Sequence, residues 1–161
     1  IELYARQIVD LCNEIRHLDN ALKSSAMKSK ETRRMQTMPG IGPISAHAIQ
    51  AYCPPMEQFR KGRDFAAWLG LVPRQNSTGG KVRLGRVTKM GQRDIRRLLI
   101  TGAMAVITAF ERRERQGDPW LAKMLEKRPR IVAAVALANR MARRLWAMLS
   151  EEENYEIRGA A

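Results

Sequence analysis

One hydroxyl lies in a segment of the sequence that is rich in cations and glycine. Ser77 falls between Asp64 and Asp94, in a stretch that contains no other carboxylate and no histidine. The cations of this stretch are Arg74, Lys81, Arg83, Arg86, Lys89 and Arg93. Their field favours anions, and the backbone N–H groups around Gly79 and Gly80 can approach a bound oxyanion closely. These are the parts needed to hold, and to attack, a phosphodiester.

The same segment lacks the partners of ordinary serine hydrolases. It contains no G-x-S-x-G elbow, and the two histidines, His17 and His47, are scattered and have no obvious Asp partner, which argues against a Ser-His-Asp triad. A serine hydroxyl is a poor nucleophile unless a base removes its proton or nearby positive charge lowers its pKa. No base lies in the local sequence, so we expect the arginines to stabilise a phosphoryl transition state and the activator to come from elsewhere.

A second phosphate-binding signal precedes this loop. Residues 37–43 read TMPGIGP and are followed by an alanine-rich helical pattern at 44–52, an arrangement over 34–53 that resembles a helix-hairpin-helix motif. Gly40 and Gly42 would form the tight turn, and amides at the second helix's N-terminus can bond a DNA phosphate without reading sequence. The residues expected to pack under the turn or along the helix are Ile41, Ile44, Ala48 and Ile49.

Composition supports a nucleic-acid partner. The chain has 161 residues, a net charge of +13 and 45% hydrophobic residues, with a pI of about 10.7. This length suits one compact domain, and the hydrophobic content argues against disorder. A folded, strongly basic protein of this size most often binds nucleic acid, whereas no apolar run approaches the ~20 residues that span a bilayer. Cys12 and Cys53 lack metal-ligand spacing, so we expect free thiols and a cytoplasmic location.

The N-terminal residues predict an arm that needs a partner. Apolar residues recur at alternating steps of three and four: Ile1, Tyr4, Ile8, Leu11, Ile15, Leu18 and Leu22. This is a coiled-coil seam of about three heptads, too short to be stable alone. The partner would be another helix of this chain, an upstream segment or another subunit, which makes a homodimer or homotetramer plausible. An ordinary amphipathic helix lying on the domain remains the alternative.

The remaining elements predict an all-α domain with one long functional loop. We expect an arm and linker at 1–30, with the linker from Ser24, and a helical domain at 31–150 with its loop at 71–91. The expected helices are 62–69, one along the apolar stripe from Ile95 to Phe110, 120–126 and 131–149, and the only strand signal lies at 81–88. Arg93, Arg96 and Arg97 fall on or beside the face opposite that stripe, and we expect them to bind nucleic-acid phosphate together with the cations of the loop. The acidic tail, 151–161, is expected to be solvated. The chain begins in mid-pattern without Met, so an upstream portion is expected to be missing.

Three segments together resemble a known family. They are PGIGP at 39–43, RDFAAWLGLVPRQNSTGGKVRLGRVTKMGQRDIRRLLITGA at 63–103, and ALANRMARRLWAML at 136–149. They are similar to the C-terminal transposase domain of the bacterial insertion-sequence family whose transposases are guided by a bridge RNA, the one-ten group, with its eleven-eleven branch nearest. The resemblance covers nearly the whole chain, and its middle block is long and specific.

The resemblance implies a composite active site. The family joins this domain to an N-terminal RuvC-like domain whose four acidic residues bind metal, implying Mg²⁺ there and none in this chain. It implies a serine that attacks DNA covalently, corresponding to Ser77. Many relatives read Ser-Ser-Gly-Gly where this chain has Ser-Thr-Gly-Gly, so Thr78 stays open as the hydroxyl. The resemblance further implies donor and target DNA and a guide RNA as partners, and a nucleoid-associated location. The competing interpretation is a non-catalytic module that binds DNA or RNA and oligomerises through its arm, and a membrane-surface protein is a distant third.

Overall fold

The structure, a computed structural model, describes residues 2–75, 84–114 and 116–156, and for Leu84 and Arg86 it describes the backbone alone. Within these ranges the elements are α1 (Glu2–Lys28), α2 (Lys30–Gln36), α3 (Pro43–Tyr52), a 3-10 turn (Met56–Gln58), α4 (Gly62–Trp68), β1 (Pro73–Gln75), β2 (Leu84–Val87), α5 (Arg93–Arg112), α6 (Pro119–Lys127) and α7 (Arg130–Ser150). The predicted all-α class is confirmed. One short antiparallel ladder, β1 with β2, is the only pairing of strands within the described ranges.

The helix ends follow from local chemistry. Asp118 caps α6, because its carboxylate accepts bonds from the N–H groups of Trp120 and Leu121 at 3.0 and 3.2 Å, and Pro119 supplies a preset φ at the first helical position. Pro54 and Pro55 come after Cys53, the C-cap of α3, where a continuing helix would lack N–H donors. The boundaries predicted for α3, α4, α6 and α7 agree with the structure to within about two residues.

The core lies mainly between α5 and α7. α5 buries one face through Ile95, Leu99, Ala103, Ile107 and Phe110. α7 buries a row that is rich in alanine: Ala133, Ala134, Leu137, Ala138, Met141, Ala142, Leu145 and Met148. Such small side chains let helix axes approach closely, and each fully buried large apolar side chain stabilises the fold by roughly 1.5–3 kcal/mol. The apolar faces of α5 and α7 are therefore buried mainly against each other.

Phe59, Phe65 and Trp68 form an aromatic cluster on this core. The ring centroids of Phe59 and Phe65 lie 5.2 Å apart edge to face, and those of Phe65 and Trp68 lie 6.0 Å apart and stacked. The indole of Trp146 donates to the carbonyl oxygen of Met56 at 3.3 Å, tying α7 to the 3-10 turn. Phe65 is fully buried and Phe59 and Trp68 pack against it half-buried, so the cluster belongs to the core.

α1 is one helix of which only the C-terminal end contacts the body, the name used here for α2 to α7. Every residue from 2 to 18 is exposed, and this segment is called the arm. At the other end Ala26 is buried, Thr32 Oγ1 donates to its carbonyl oxygen at 2.6 Å, and His47 Nε2 donates to the carbonyl oxygen of Leu22 at 3.2 Å. The predicted linker from Ser24 is wrong, because residues 24–28 continue the helix.

Candidate functional site

The loop that carries the candidate nucleophile emerges from a bonded pair of chain segments. We call residues 68–75 and 84–92 the neck. Its antiparallel bonds run from Gln92 N to Trp68 O (3.2 Å), from Lys89 N to Gly70 O (3.3 Å) and from Thr88 N to Val72 O (3.0 Å). β1 and β2 continue this pairing, with Gln75 opposite Leu84. The chain therefore leaves the described part at Gln75 and returns at Leu84 from a fixed position.

Close backbone packing holds the neck together at Gly91. Its φ is +127°, a left-handed conformation that side-chain-bearing residues rarely adopt, and an added Cβ would overlap the carbonyl oxygen of Trp68. Lys89, at φ +56°, bends the same segment. Glycine is thus required here by the approach of two backbone strands.

Two polar side chains of the long helices bond the neck to the body. Arg96 on α5 donates from Nη1 to the carbonyl oxygen of Leu69 at 3.0 Å. Asn139 on α7 donates from Nδ2 to the carbonyl oxygen of Leu71 at 3.1 Å. These carbonyls belong to buried residues, so each bond satisfies an acceptor that would otherwise be costly to bury. The neck is therefore anchored to both central helices.

The anchoring contacts involve one predicted site residue and one residue that was not predicted. Arg96 is predicted from its charge to bind phosphate, but its side chain is half-buried and bonded to the neck, so the structure gives it a positioning contact. Asn139 is not among the predicted site residues. The only signal for it in the sequence is that it is one of the few polar residues of α7, next to Arg140 in a mainly apolar helix.

Four predicted phosphate-binding cations lie exposed on or next to the neck. They are Arg74, Lys89, Arg93 and Arg97. None of them forms an ion pair with a carboxylate within the ranges 2–75, 84–114 and 116–156. Their charges are thus available to an anion. The other predicted residues of this loop, Ser77, Thr78, Gly79, Gly80, Lys81 and Arg83, lie outside the described residues, as does the side chain of Arg86.

The predicted helical hairpin is a turn between α2 and α3 whose two glycines differ. Residues 37–42 are called the turn. An added Cβ on Gly40, at φ +89°, would lie 2.9 Å from the carbonyl oxygen of Gly102 on α5, so Gly40 serves backbone-to-backbone packing. Gly42 is the N-cap of α3, without a side-chain cap, and an added Cβ there would meet no atom of the described residues within 4 Å. Only Gly42 therefore stands at an open helix N-terminus.

The side chains around the turn follow the prediction with one exception. Ile41 and Ile49 are buried beneath it, as expected. Ile44 is 52% exposed, so its assignment to the apolar stripe is wrong. As the second residue of α3 it lies beside the open N-terminus and not over the core.

The arginines of α7 contact other parts of the body. Arg140 Nη1 lies 3.0 Å from Asp118 Oδ2, and its guanidinium stacks 4.8 Å from the centre of the Trp120 ring. Arg144 donates to the carbonyl oxygen of Glu156 at 2.8 Å and lies over Tyr155. Both guanidinium groups therefore have partners within the fold.

The titratable and metal-binding chemistry of the described residues is sparse. Burial raises the pKa of the Cys53 thiol to about 12, and Cys12 is exposed on the arm. Over residues 2–75, 84–114 and 116–156 no three His, Cys, Asp or Glu side chains group together as metal ligands. No helix in these ranges is both long enough and apolar enough to cross a bilayer.

Comparisons with known proteins agree on one family. The model of the Transposase IS116/IS110/IS902 family matches residues 32–122. A Pseudomonas aeruginosa PAO1 protein named "Probable family 20 transposase" is 47% identical over 141 residues, 88% of this chain and 42% of that protein. The transposase for insertion sequence element IS1111A of Coxiella burnetii is 36% identical over 137 residues, 85% of this chain and 38% of that protein.

A further relative extends the pattern. The transposase for insertion sequence element IS1328 of Yersinia enterocolitica is 34% identical over 141 residues, covering 88% of this chain and 42% of that protein. The chain thus spans about two fifths of the length of the curated relatives it matches.

Proposed function

Because the chain belongs to the IS116/IS110/IS902 transposase family, we propose that it supplies the serine nucleophile for DNA strand cleavage and rejoining. The observation that carries the proposal is the neck, which fixes the two ends of a cationic, glycine-containing loop. Ser77 lies two positions beyond Gln75, the last described residue of β1. A nucleophile needs such fixed anchorage, since a misplacement of about 1 Å costs large factors in rate.

The proposed chemistry is a transesterification that conserves bonds. The Oγ of Ser77 attacks a DNA phosphorus, so an O–P bond forms to serine and the bond from phosphorus to the 3′-oxygen breaks. The serine proton passes to a base, and the departing 3′-oxygen takes up a proton. A DNA 3′-hydroxyl later attacks the phosphoserine, which restores a phosphodiester and the free serine. No ATP is consumed, because each step exchanges one ester for another.

The exposed cations support this chemistry. Charge develops on the equatorial oxygens of an in-line phosphoryl transition state, and Arg and Lys clamps stabilise it. Arg74, Lys89, Arg93 and Arg97 are exposed beside the neck and unpaired with described carboxylates, so they can contact DNA phosphates. We assign the same role to Lys81, Arg83 and Arg86 on sequence grounds.

The turn offers a second, sequence-independent contact to DNA. Gly42, the N-cap of α3, provides no side-chain cap, and among the described residues no atom lies within 4 Å of a Cβ added there. Amides there can bond a backbone phosphate, as the resemblance to helix-hairpin-helix motifs suggests. Gly40 supports this contact indirectly, by seating the turn against Gly102.

The other partners follow from the family resemblance. We propose that target choice rests with a guide RNA and that the arm associates with a second copy into a dimer or tetramer. The Mg²⁺ that the resemblance implies would be bound by a RuvC-like domain. The described residues contain no group of carboxylates that fits it, so no step above is assigned to the metal.

Paired hydroxyl substitutions in the intact transposase test the proposal. Ser77→Ala should abolish strand exchange while DNA and RNA binding stay nearly intact, and Thr78→Ala should retain exchange. The opposite pattern would move the nucleophile to Thr78. If Ser77→Ala lost binding together with activity, the non-catalytic binding module would be favoured.

A further inference from the structure

The C-terminal segment folds back over α2. We call residues 151–156 the strap. Glu152 Oε2 lies 3.2 Å from Arg34 Nη2 and 3.9 Å from Lys30 Nζ. The N–H of Tyr155 donates to Thr37 Oγ1 at 2.8 Å. The acidic tail, predicted to be solvated, is therefore bonded to the first helix of the hairpin.

The strap covers a basic cleft. The cleft has a volume of about 410 Å³ and is lined by Lys30, Arg33, Arg34, Thr37, Glu152 and Asn154. Its three cations, at positions i, i+3 and i+4, lie near one another on the surface of α2. Glu152 supplies its single carboxylate, so the lining keeps a net charge of +2 (three cations less one carboxylate).

Arg34 requires an anion. Its side chain is only 7% exposed, and a buried guanidinium without a partner would be strongly destabilising. The partner, Glu152, is 71% exposed and sits on a short segment beyond the end of α7. Because the Glu152 carboxylate is exposed, another anion can take its place. The guanidinium of Arg34 then has an anionic partner both before and after the exchange.

We propose that this cleft is a phosphate-binding site for a nucleic-acid backbone and that the Glu152 carboxylate occupies it when no strand is bound. A phosphodiester presents oxygens to the arginine fork as a carboxylate does, and the residual positive charge favours a polyanion over one side chain. Thr37 both lines the cleft and begins the turn that ends at Gly42. One strand can therefore contact the cleft and the open N-terminus of α3 in sequence.

Three charge-matched substitutions test the inference. Glu151→Gln, Glu152→Gln and Glu153→Gln each remove one negative charge from the strap, but only Glu152 contacts Arg34 and Lys30. With the 161-residue chain at physiological ionic strength, we expect Glu152→Gln to tighten binding of a short duplex about tenfold and to steepen its salt dependence, because one more phosphate is neutralised. The two controls should change affinity by less than about twofold.

A second substitution checks the cations themselves. Arg33 is exposed, lines the cleft and forms no ion pair with a carboxylate of the described ranges, so Arg33→Ala leaves Arg34 and its partner in place. We expect Arg33→Ala to weaken duplex binding more in the Glu152→Gln background than in the parent chain.

The outcomes that overturn the inference are distinct. Equal tightening by all three substitutions would show general electrostatics alone, and a lower melting temperature for Glu152→Gln at unchanged affinity would show that the strap is only structural. Tighter binding of inorganic phosphate by Glu152→Gln without any gain for duplex would make the cleft a free-phosphate site. The inference rests on the proposed function only for the nature of the ligand. If no variant binds duplex, the proposed function fails, and the phosphate titration alone decides whether the cleft accepts an anion.

Discussion

The neck and the arm differ in where their interaction partners lie. The neck is bonded to itself by backbone hydrogen bonds and to α5 and α7 through Arg96 and Asn139. The arm exposes its apolar seam: Ile8, Leu11 and Ile15 are 61, 63 and 59% exposed. The two ends of the loop that carries the candidate nucleophile are thus bonded within one chain, whereas the described residues leave the apolar seam uncovered. This difference matches the two proposals, which give preorganisation to the neck and association to the arm.

The largest effect is expected from Gly91→Ala in the neck. The new Cβ would overlap the Trp68 carbonyl oxygen at a φ of +127°, so we expect a loss of about 3–5 kcal/mol in the free energy of unfolding, measured by urea denaturation. The matched control is Gly117→Ala, at φ +113°, where the added Cβ would have no atom of residues 2–75, 84–114 and 116–156 within 4 Å. It should cost about 1–2 kcal/mol from backbone strain alone. Equal costs would show that the neck is not closely packed at Gly91.

The next effect distinguishes the arm's seam from its other faces. Leu11→Lys places a charge on the seam, and we expect it to weaken self-association at least about tenfold, measured by analytical ultracentrifugation. Val9→Lys is the control, since Val9 is similarly exposed (57%) but lies off the seam. Neither change should alter the monomer's free energy of unfolding by more than about 0.5 kcal/mol. A large loss of monomer stability for Leu11→Lys would mean that the seam packs within one chain.

A moderate effect on stability is expected from replacing an asparagine that bonds the neck, in comparison with an asparagine on the arm. Asn139→Ala removes the bond to the Leu71 carbonyl oxygen and should cost about 1–2 kcal/mol of unfolding free energy, with faster amide hydrogen exchange in the neck. Asn13→Ala on the exposed arm should stay within about 0.5 kcal/mol. If exchange in the neck were unchanged, Asn139 would not be one of its anchors.

The smallest effect concerns the thiols. The pKa of Cys53 is raised to about 12, so the folded state keeps this proton where an unfolded chain releases it, above about pH 9. Its contribution to stability is complete below pH 9 and is lost as pH rises from about 9 to 12. Cys53→Ala should flatten that part of the pH–stability curve, and Cys12→Ala should leave it unchanged. A thiol reagent at neutral pH should modify Cys12 on the arm first.

Much of the fold follows from local sequence, because helices have a period. The alternation of apolar residues predicts α3, α4, α5, α6 and α7, and Asp118-Pro119 predicts where α6 begins. β1 was missed because Pro73–Gln75 is short, wholly exposed and without alternation. The seam predicts that the arm has an apolar face but not what covers it, and the coiled coil stays a prediction.

The contacts around the candidate site and the strap are largely not local, so residue type alone does not predict them. Arg96 and Leu69 are 27 positions apart, Asn139 and Leu71 are 68 apart, and Arg34 and Glu152 are 118 apart. A positive charge shows that a side chain can bind phosphate, but not that a carbonyl already occupies it. Gly40 likewise looks like a turn residue, and only the packing reveals Gly102 against it. The nucleophile itself is inferred from its motif and its cationic surroundings.

Mass spectrometry of a trapped reaction tests the nucleophile most directly. The intact transposase would be incubated with a suicide DNA substrate whose released strand cannot rejoin, and then digested. We expect a nucleotide adduct on the peptide that contains Ser77, and no adduct in Ser77→Ala. Cleaved DNA without any adduct on that peptide, or an adduct that persists in Ser77→Ala, would contradict it.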